Sequence, residues 1–113
     1  MSRLAAAAEH FVAVYHARPP LVAEQAGWRC VIGLRTTEGH AVTVRVEDGR
    51  ITAVAVEAEP ADLVVTADAD TLEDILRLRR SPNEPYLFGE LTVQGPERDF
   101  LRLDYIATRL CPQ

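Results

Sequence analysis

Two hydrophobic periods divide this chain. Over residues 2–17, Leu4, Ala8, Phe11 and Tyr15 step by four, three and four, with Ala7 and Val14 beside them. That is one stripe of an amphipathic helix. Ser2 stands where an N-cap oxygen is favoured, and the alanine-rich run after it has high helix propensity. Pro19-Pro20 closes this helix, because the residue before a proline is pushed out of the helical region. Residues 21–26 leave room for one more turn, ended by Gly27.

From Trp28 the period falls to two. Trp28, Cys30, Ile32 and Leu34 alternate with Arg29, Val31, Gly33 and Arg35, and Val42, Val44 and Val46 alternate with Ala41, Thr43 and Arg45. Turn signals at Thr36-Thr37-Glu38-Gly39 and at Asp48-Gly49 separate three strands, the third over residues 51–57. The pattern predicts an antiparallel meander with a covered apolar face and an arginine-bearing face toward water. Glu59-Pro60 ends the third strand, and residues 62–66 form a short fourth. Asp70 and Glu73 have capping-box spacing before a helix whose stripe is Leu72, Ile75 and Leu76, ending near Arg80. Pro82 suits the first position of a short helix and Gly89 the position past its end. Leu91 and Val93 mark a fifth strand. Gly95-Pro96 then opens a last helix, with Glu97 and Asp99 favourable in its first turn. Phe100, Leu103, Ala107 and Leu110 line its buried side, with Ile106 beside them.

Helices separate strands four and five, which predicts a crossover between them. The expected fold class is α+β: a five-stranded mixed sheet with helices packed on one face. The expected organisation is a single domain over residues 1–113, made of an N-terminal helix (2–17), the meander (28–57) and a helix/strand/helix unit (61–110).

Composition narrows the function classes. The 113 residues are 48% apolar and 26% charged, a globular balance with enough chain to bury a core without metal or disulfides. All 12 basic residues are arginine, and 17 acidic residues leave a net charge of −5. Such a chain is a poor ligand for nucleic acid, where phosphate contacts dominate affinity. It lacks a polybasic cluster for an anionic membrane, so at most transient membrane contact is expected. Cys30 and Cys111 have neither disulfide-framework nor metal-ligand spacing, and both are expected reduced. No run approaches the roughly 18–20 apolar residues of a membrane span, and residues 4–8 are too short for a signal-peptide core. The expected location is the cytoplasm. The arginine-only, alanine-rich composition points to a high-GC bacterial source.

Catalytic chemistry is not legible. His10 and His16 are six apart and cannot share a metal as an i, i+4 pair could, and His40 lies in a turn. Asp68 and Asp70 flank a helix start, where acids are stabilising in any case. Cys30 has no histidine near it in sequence, and the glycines are spaced for turns rather than a phosphate loop. The expectation is no enzyme, no metal and no cofactor. Arg77, Arg79 and Arg80 complement a helix dipole, with lipid headgroups or a partner as the alternative contact. Bulky apolar residues accumulate after the fourth strand, from Leu72, Ile75 and Leu76 through Tyr86, Leu87 and Phe88 to Phe100, Leu103 and Ile106. They read either as packed core or as the lining of a cavity, and pattern alone leaves both open.

Three segments go further. Ala61-Asp62-Leu63-Val64-Val65-Thr66-Ala67-Asp68 runs into a helix. Ser81-Pro82-Asn83-Glu84-Pro85-Tyr86-Leu87-Phe88-Gly89-Glu90-Leu91-Thr92-Val93-Gln94-Gly95 joins an Asn-Pro type of turn and paired bulky residues to a glycine-bounded strand. Residues 96–110 close the chain as an amphipathic helix. Together these resemble the sterol carrier protein 2 family, the SCP2-like sterol-transfer domain, over about residues 28–110, most specifically at 81–95. Glu90 stands where the family commonly has lysine, and Pro96 where a small polar residue is usual.

The resemblance implies a five-stranded sheet under helices with an apolar tunnel between the layers. It implies non-enzymatic binding or transfer of a lipid-like ligand, whether fatty acyl, sterol-like or quinone-like. The expected ligand contacts are Ile32, Leu34, Val44, Leu72, Leu76, Tyr86, Leu87, Leu91, Phe100, Leu103 and Ile106, with the Tyr86 hydroxyl as polar handle. The alternative is an interaction or scaffold module of the same fold with a collapsed cavity, acting as a homodimer or a partner subunit.

Overall fold

The computed structural model describes residues 2–111; Met1, Pro112 and Gln113, which the expected domain span includes, lie outside them. Helix α1 (Arg3–His16) starts where Ser2 Oγ accepts the Ala5 N–H at 3.1 Å, and its stripe from Leu4 to Tyr15 is buried. The proline pair does not merely end this helix. It opens α2 (Pro19–Glu24), since the first turn needs no N–H that proline lacks.

The meander is β1 (Cys30–Thr36), β2 (Ala41–Glu47) and β3 (Arg50–Ala55), antiparallel in sequence as expected. Asp48 and Gly49 both have positive φ, the signature of the two-residue hairpin turn that matches strand twist. Gly49 is also required by space, because a Cβ there would lie 2.6 Å from the Gln25 carbonyl oxygen. Tyr15 ties the same turn to α1, its hydroxyl donating to the Gly49 carbonyl at 2.5 Å.

Strand β4 (Leu63–Ala67) pairs parallel with β1, and β5 (Leu91–Gln94) pairs antiparallel with β4, so the order is β3-β2-β1-β4-β5. The crossover predicted between strands four and five is therefore absent. Helices α3 (Ala69–Leu76) and α4 (Asn83–Leu87) leave and return at one end of the sheet, and β5 starts where β4 stops. The true crossover joins β3 to β4, with no helix in it. Residues 56–62 run across the face away from the helices, held by Thr43 Oγ1 donating to the Glu57 carbonyl at 2.8 Å and Arg35 Nη2 to the Glu59 carbonyl at 3.2 Å. The arginine-bearing face is thus partly covered, and Thr43 is buried beneath that strap.

Two helix boundaries differ from expectation. Helix α3 stops at Leu76 rather than near Arg80; Leu78 takes a left-handed φ of 63° while its side chain stays buried. Asp70 and Glu73 do not form a capping box. Both carboxylates pair with Arg3 of α1 instead, and the Ala69 N–H is met at 3.2 Å by Glu38 from the β1–β2 turn. The last helix, α5 (Glu97–Leu110), follows β5 after a tight turn at Gly95. Helices α1, α3 and α5 cover one face of the five-stranded mixed sheet, and the core lies between these layers.

Candidate functional site

Strand periodicity turns every second residue of each strand toward the helices. Ile32 faces Val44 across the antiparallel pair, Leu34 sits beside Val65 on the parallel side, and Leu91 lies opposite Ala67. Helical periodicity turns Ala8 and Phe11 of α1, Leu72, Ile75 and Leu76 of α3, and Phe100, Leu103 and Ala107 of α5 down onto them. Between the two layers remains a cavity of about 60 Å³. Its walls are Ala8, Phe11, Val12, Ile32, Leu34, Val44, Ile51, Val65, Leu72, Ile75, Leu76, Pro82, Leu91, Phe100, Leu103 and Ala107. All five strands and three helices contribute, and every lining side chain is apolar.

Eight of the expected contacts lie on this wall: Ile32, Leu34, Val44, Leu72, Leu76, Leu91, Phe100 and Leu103. Three do not. Ile106 is buried in the core but off the lining. Tyr86 and Leu87 sit on α4 at the surface, 46% and 70% exposed, with Phe88 beside them at 74%. The Tyr86 ring rests 4.9 Å from the Phe100 ring, so α4 lies outside a wall residue and its hydroxyl is not in the cavity. Pro85 is the residue that this short helix buries, and the bulky side chains that follow it turn outward. The contribution of α1 was the part missed from sequence: its stripe of Ala8 and Phe11 is visible, but not that the helix packs over the sheet rather than elsewhere.

Chemically the space is inert. Cys30, next to Ile32 on the same face of β1, is buried, and burial first, then Asp99 and Asp62, push its thiol up to about 12. Among the described residues no group of three or more His, Cys, Asp or Glu side chains is placed to hold a metal. His16 accepts the Ile51 N–H at 3.1 Å through Nε2, and burial together with Arg50 holds its pKa below the ordinary value. Asp104 of α5 has a buried carboxylate oxygen without a partner, and burial raises its pKa. At about 60 Å³ the cavity is smaller than the roughly 150 Å³ void that admits a benzene ring. A long alkyl chain is larger than this space.

Comparison with known proteins places this architecture. The model of the SCP-2 sterol transfer family matches residues 8–104. Among solved structures, a ubiquinone synthesis protein, UbiJ-SCP2, superposes with a TM-score of 0.71 at 20% identity, covering 95% of this chain and 94% of its own. A crystal structure of sterol carrier protein 2 gives 0.68 at 19% identity, covering 94% and 91%. The palmitated SCP2L2 protein from Aedes aegypti, solved by NMR, gives 0.61 at 17% identity, covering 88% and 92%. No curated protein matches the chain.

Proposed function

Since the chain belongs to the SCP-2 sterol transfer family, we propose that it binds and carries a lipid-like apolar molecule between its sheet and its helices, as a carrier rather than a catalyst. The observation that carries this reading is the cavity itself: a void at the centre of the layer interface with no polar side chain on its walls. Such a surface selects alkyl, isoprenoid or sterol-like chemistry, because any polar ligand group placed there would lose its hydrogen bonds to water. The eight wall residues common to sequence and structure are the proposed ligand contacts.

The energetics permit it. Sixteen methylenes at about 0.8 kcal/mol each yield roughly 13 kcal/mol gross. Immobilisation and ordering remove about half, leaving about 6.5 kcal/mol, an affinity in the tens of micromolar. Opening the layers for a chain that long adds a further cost, since the void of about 60 Å³ is smaller than the chain.

That smallness favours one second reading. The same fold with a collapsed interior would act as a scaffold, with exposed Leu87 and Phe88 as contacts. A fluorescent sixteen-carbon fatty acid separates the two. A carrier takes it up in one-to-one stoichiometry by native mass spectrometry, and Leu103→Trp, at the half-buried edge of the wall, weakens uptake at least tenfold while the fold persists by circular dichroism. No uptake of fatty acid, sterol or quinone analogue by the folded wild type refutes the carrier.

A further inference from the structure

Away from the cavity, the arginines are unequally paired. Arg3, Arg45, Arg77, Arg79, Arg80 and Arg109, six of the twelve, each face a carboxylate. Of the others, Arg29, Arg98 and Arg102 line a single cleft of about 400 Å³. None of these three makes an ion pair among the described residues, in a chain whose acids outnumber its bases 17 to 12. The cleft lies where the chain enters β1 and where α5 begins, and its base is Trp28.

Its parts are held in place. Arg102 Nη1 donates to Gln25 Oε1 at 2.8 Å, and Gln25 is itself buried. The Arg102 guanidinium lies 5.7 Å from the centre of the Trp28 ring. Trp28 Nε1 in turn donates to Asp99 Oδ1 at 3.1 Å, so the one acid on the cleft wall is already engaged. Arg102 is therefore a half-buried cation fixed by a neutral amide and an aromatic face. Its remaining N–H groups, and the forks of exposed Arg29 and Arg98, carry no protein carboxylate.

We propose that this cleft binds a phosphoryl group, as a phosphate monoester or a diphosphate. Guanidinium forks match tetrahedral phosphate oxygens in bidentate fashion. Three cations against one engaged acid leave a surplus of about two charges, which suits a dianion better than a single carboxylate. The net charge of −5 repels anions at long range, but that field is screened beyond roughly 8–10 Å in physiological salt. Recognition thus rests on the three local forks. The phosphoryl group belongs either to a soluble ester or to a lipid headgroup, and the two sources are separable.

Trp28 is the only tryptophan and lies against Arg102, so its emission reports on the cleft. Inorganic pyrophosphate titrated into the full chain at constant ionic strength should change that emission saturably. Arg98→Ala and Arg29→Ala, both exposed positions, should each raise the apparent Kd about tenfold, whereas Arg18→Ala, outside the cleft, should not. In parallel, sedimentation with phosphatidate vesicles against phosphatidylcholine vesicles reads the lipid source. Phosphatidate binding lost in the same two variants assigns a headgroup, and a pyrophosphate response without it assigns a soluble ester. The proposal is overturned if both arms fail, if chloride at equal ionic strength reproduces the signal, or if the two variants leave it unchanged.

Discussion

Leu72→Ala tests whether the cavity is a binding site held slightly open or a flaw in a solid core. Leu72 is 1% exposed and forms part of the cavity wall from α3. Removing three carbons forfeits about 2.4 kcal/mol of transfer free energy. If the void grows by as much again as its present 60 Å³, roughly 24 cal/mol per Å³ adds about 1.4 kcal/mol. The sum is about 4 kcal/mol, and at about 4 °C per kcal/mol for a chain this long Tm should fall by about 16 °C. The enlarged void should accept an alkyl ligand with less movement of the helix layer. At one fixed concentration, 100 times the variant's Kd, a sixteen-carbon fatty acid stabilises the folded variant by about 2.7 kcal/mol. Thermal unfolding with and without the fatty acid should show the variant recovering about 11 °C, and more than the wild type gains. A Tm drop under about 4 °C would show that the site collapses and that no wall is held open. A full drop with no recovery by ligand would show that the space is not where the ligand goes.

Four further outcomes follow from other parts of the molecule. His16 is held below its ordinary pKa, so the unfolded chain binds its proton first; stability should be level above about pH 6.5 and fall below it. Urea midpoints at pH 7.5 and 5.5 should differ in the wild type and converge in His16→Gln. Asp104 is shifted the other way, its pKa raised by burial, so its charge opposes folding at neutral pH and less so as pH falls toward the ordinary carboxylate range. Asp104→Asn should stabilise by about 1 kcal/mol at pH 7, read as a raised Tm. Gly49→Ala should destabilise by at least the roughly 1–2 kcal/mol of a left-handed residue, because its Cβ also meets the Gln25 backbone. Maleimide should modify half-buried Cys111 well before Cys30 in the native state, as peptide mass mapping over time would show.

Much of this fold was legible because its signals are local. The Ser2 cap, the alternation through β1 and β2 and the Asp48-Gly49 turn each depend on residues a few positions apart. The same two periods sorted core faces from solvent faces, which is why Ile32, Leu34, Val44, Leu72, Leu76, Leu91, Phe100 and Leu103 end on one wall. The family was legible for a related reason: the 81–95 segment keeps its turn, bulky pair and strand in fixed order, and the family model covers it.

What escaped the sequence were choices between long-range partners. Asp70 and Glu73 suit a capping box equally well on paper, yet Arg3, some seventy positions away, takes both. Strand β5 has the same pattern whether it pairs with β4 or elsewhere, so only the path of α3 and α4 decided that pairing. Tyr86 and Leu87 belong by composition with the wall residues, and only the placement of α4 outside Phe100 puts them at the surface. The arginine cleft joins residues 29 and 98, which no spacing connects. Periodicity and caps act through the backbone nearby, and they determined which faces of this protein are apolar. The size of the void and the convergence of the arginines arise where separately folded faces meet, and only the packed structure decided those.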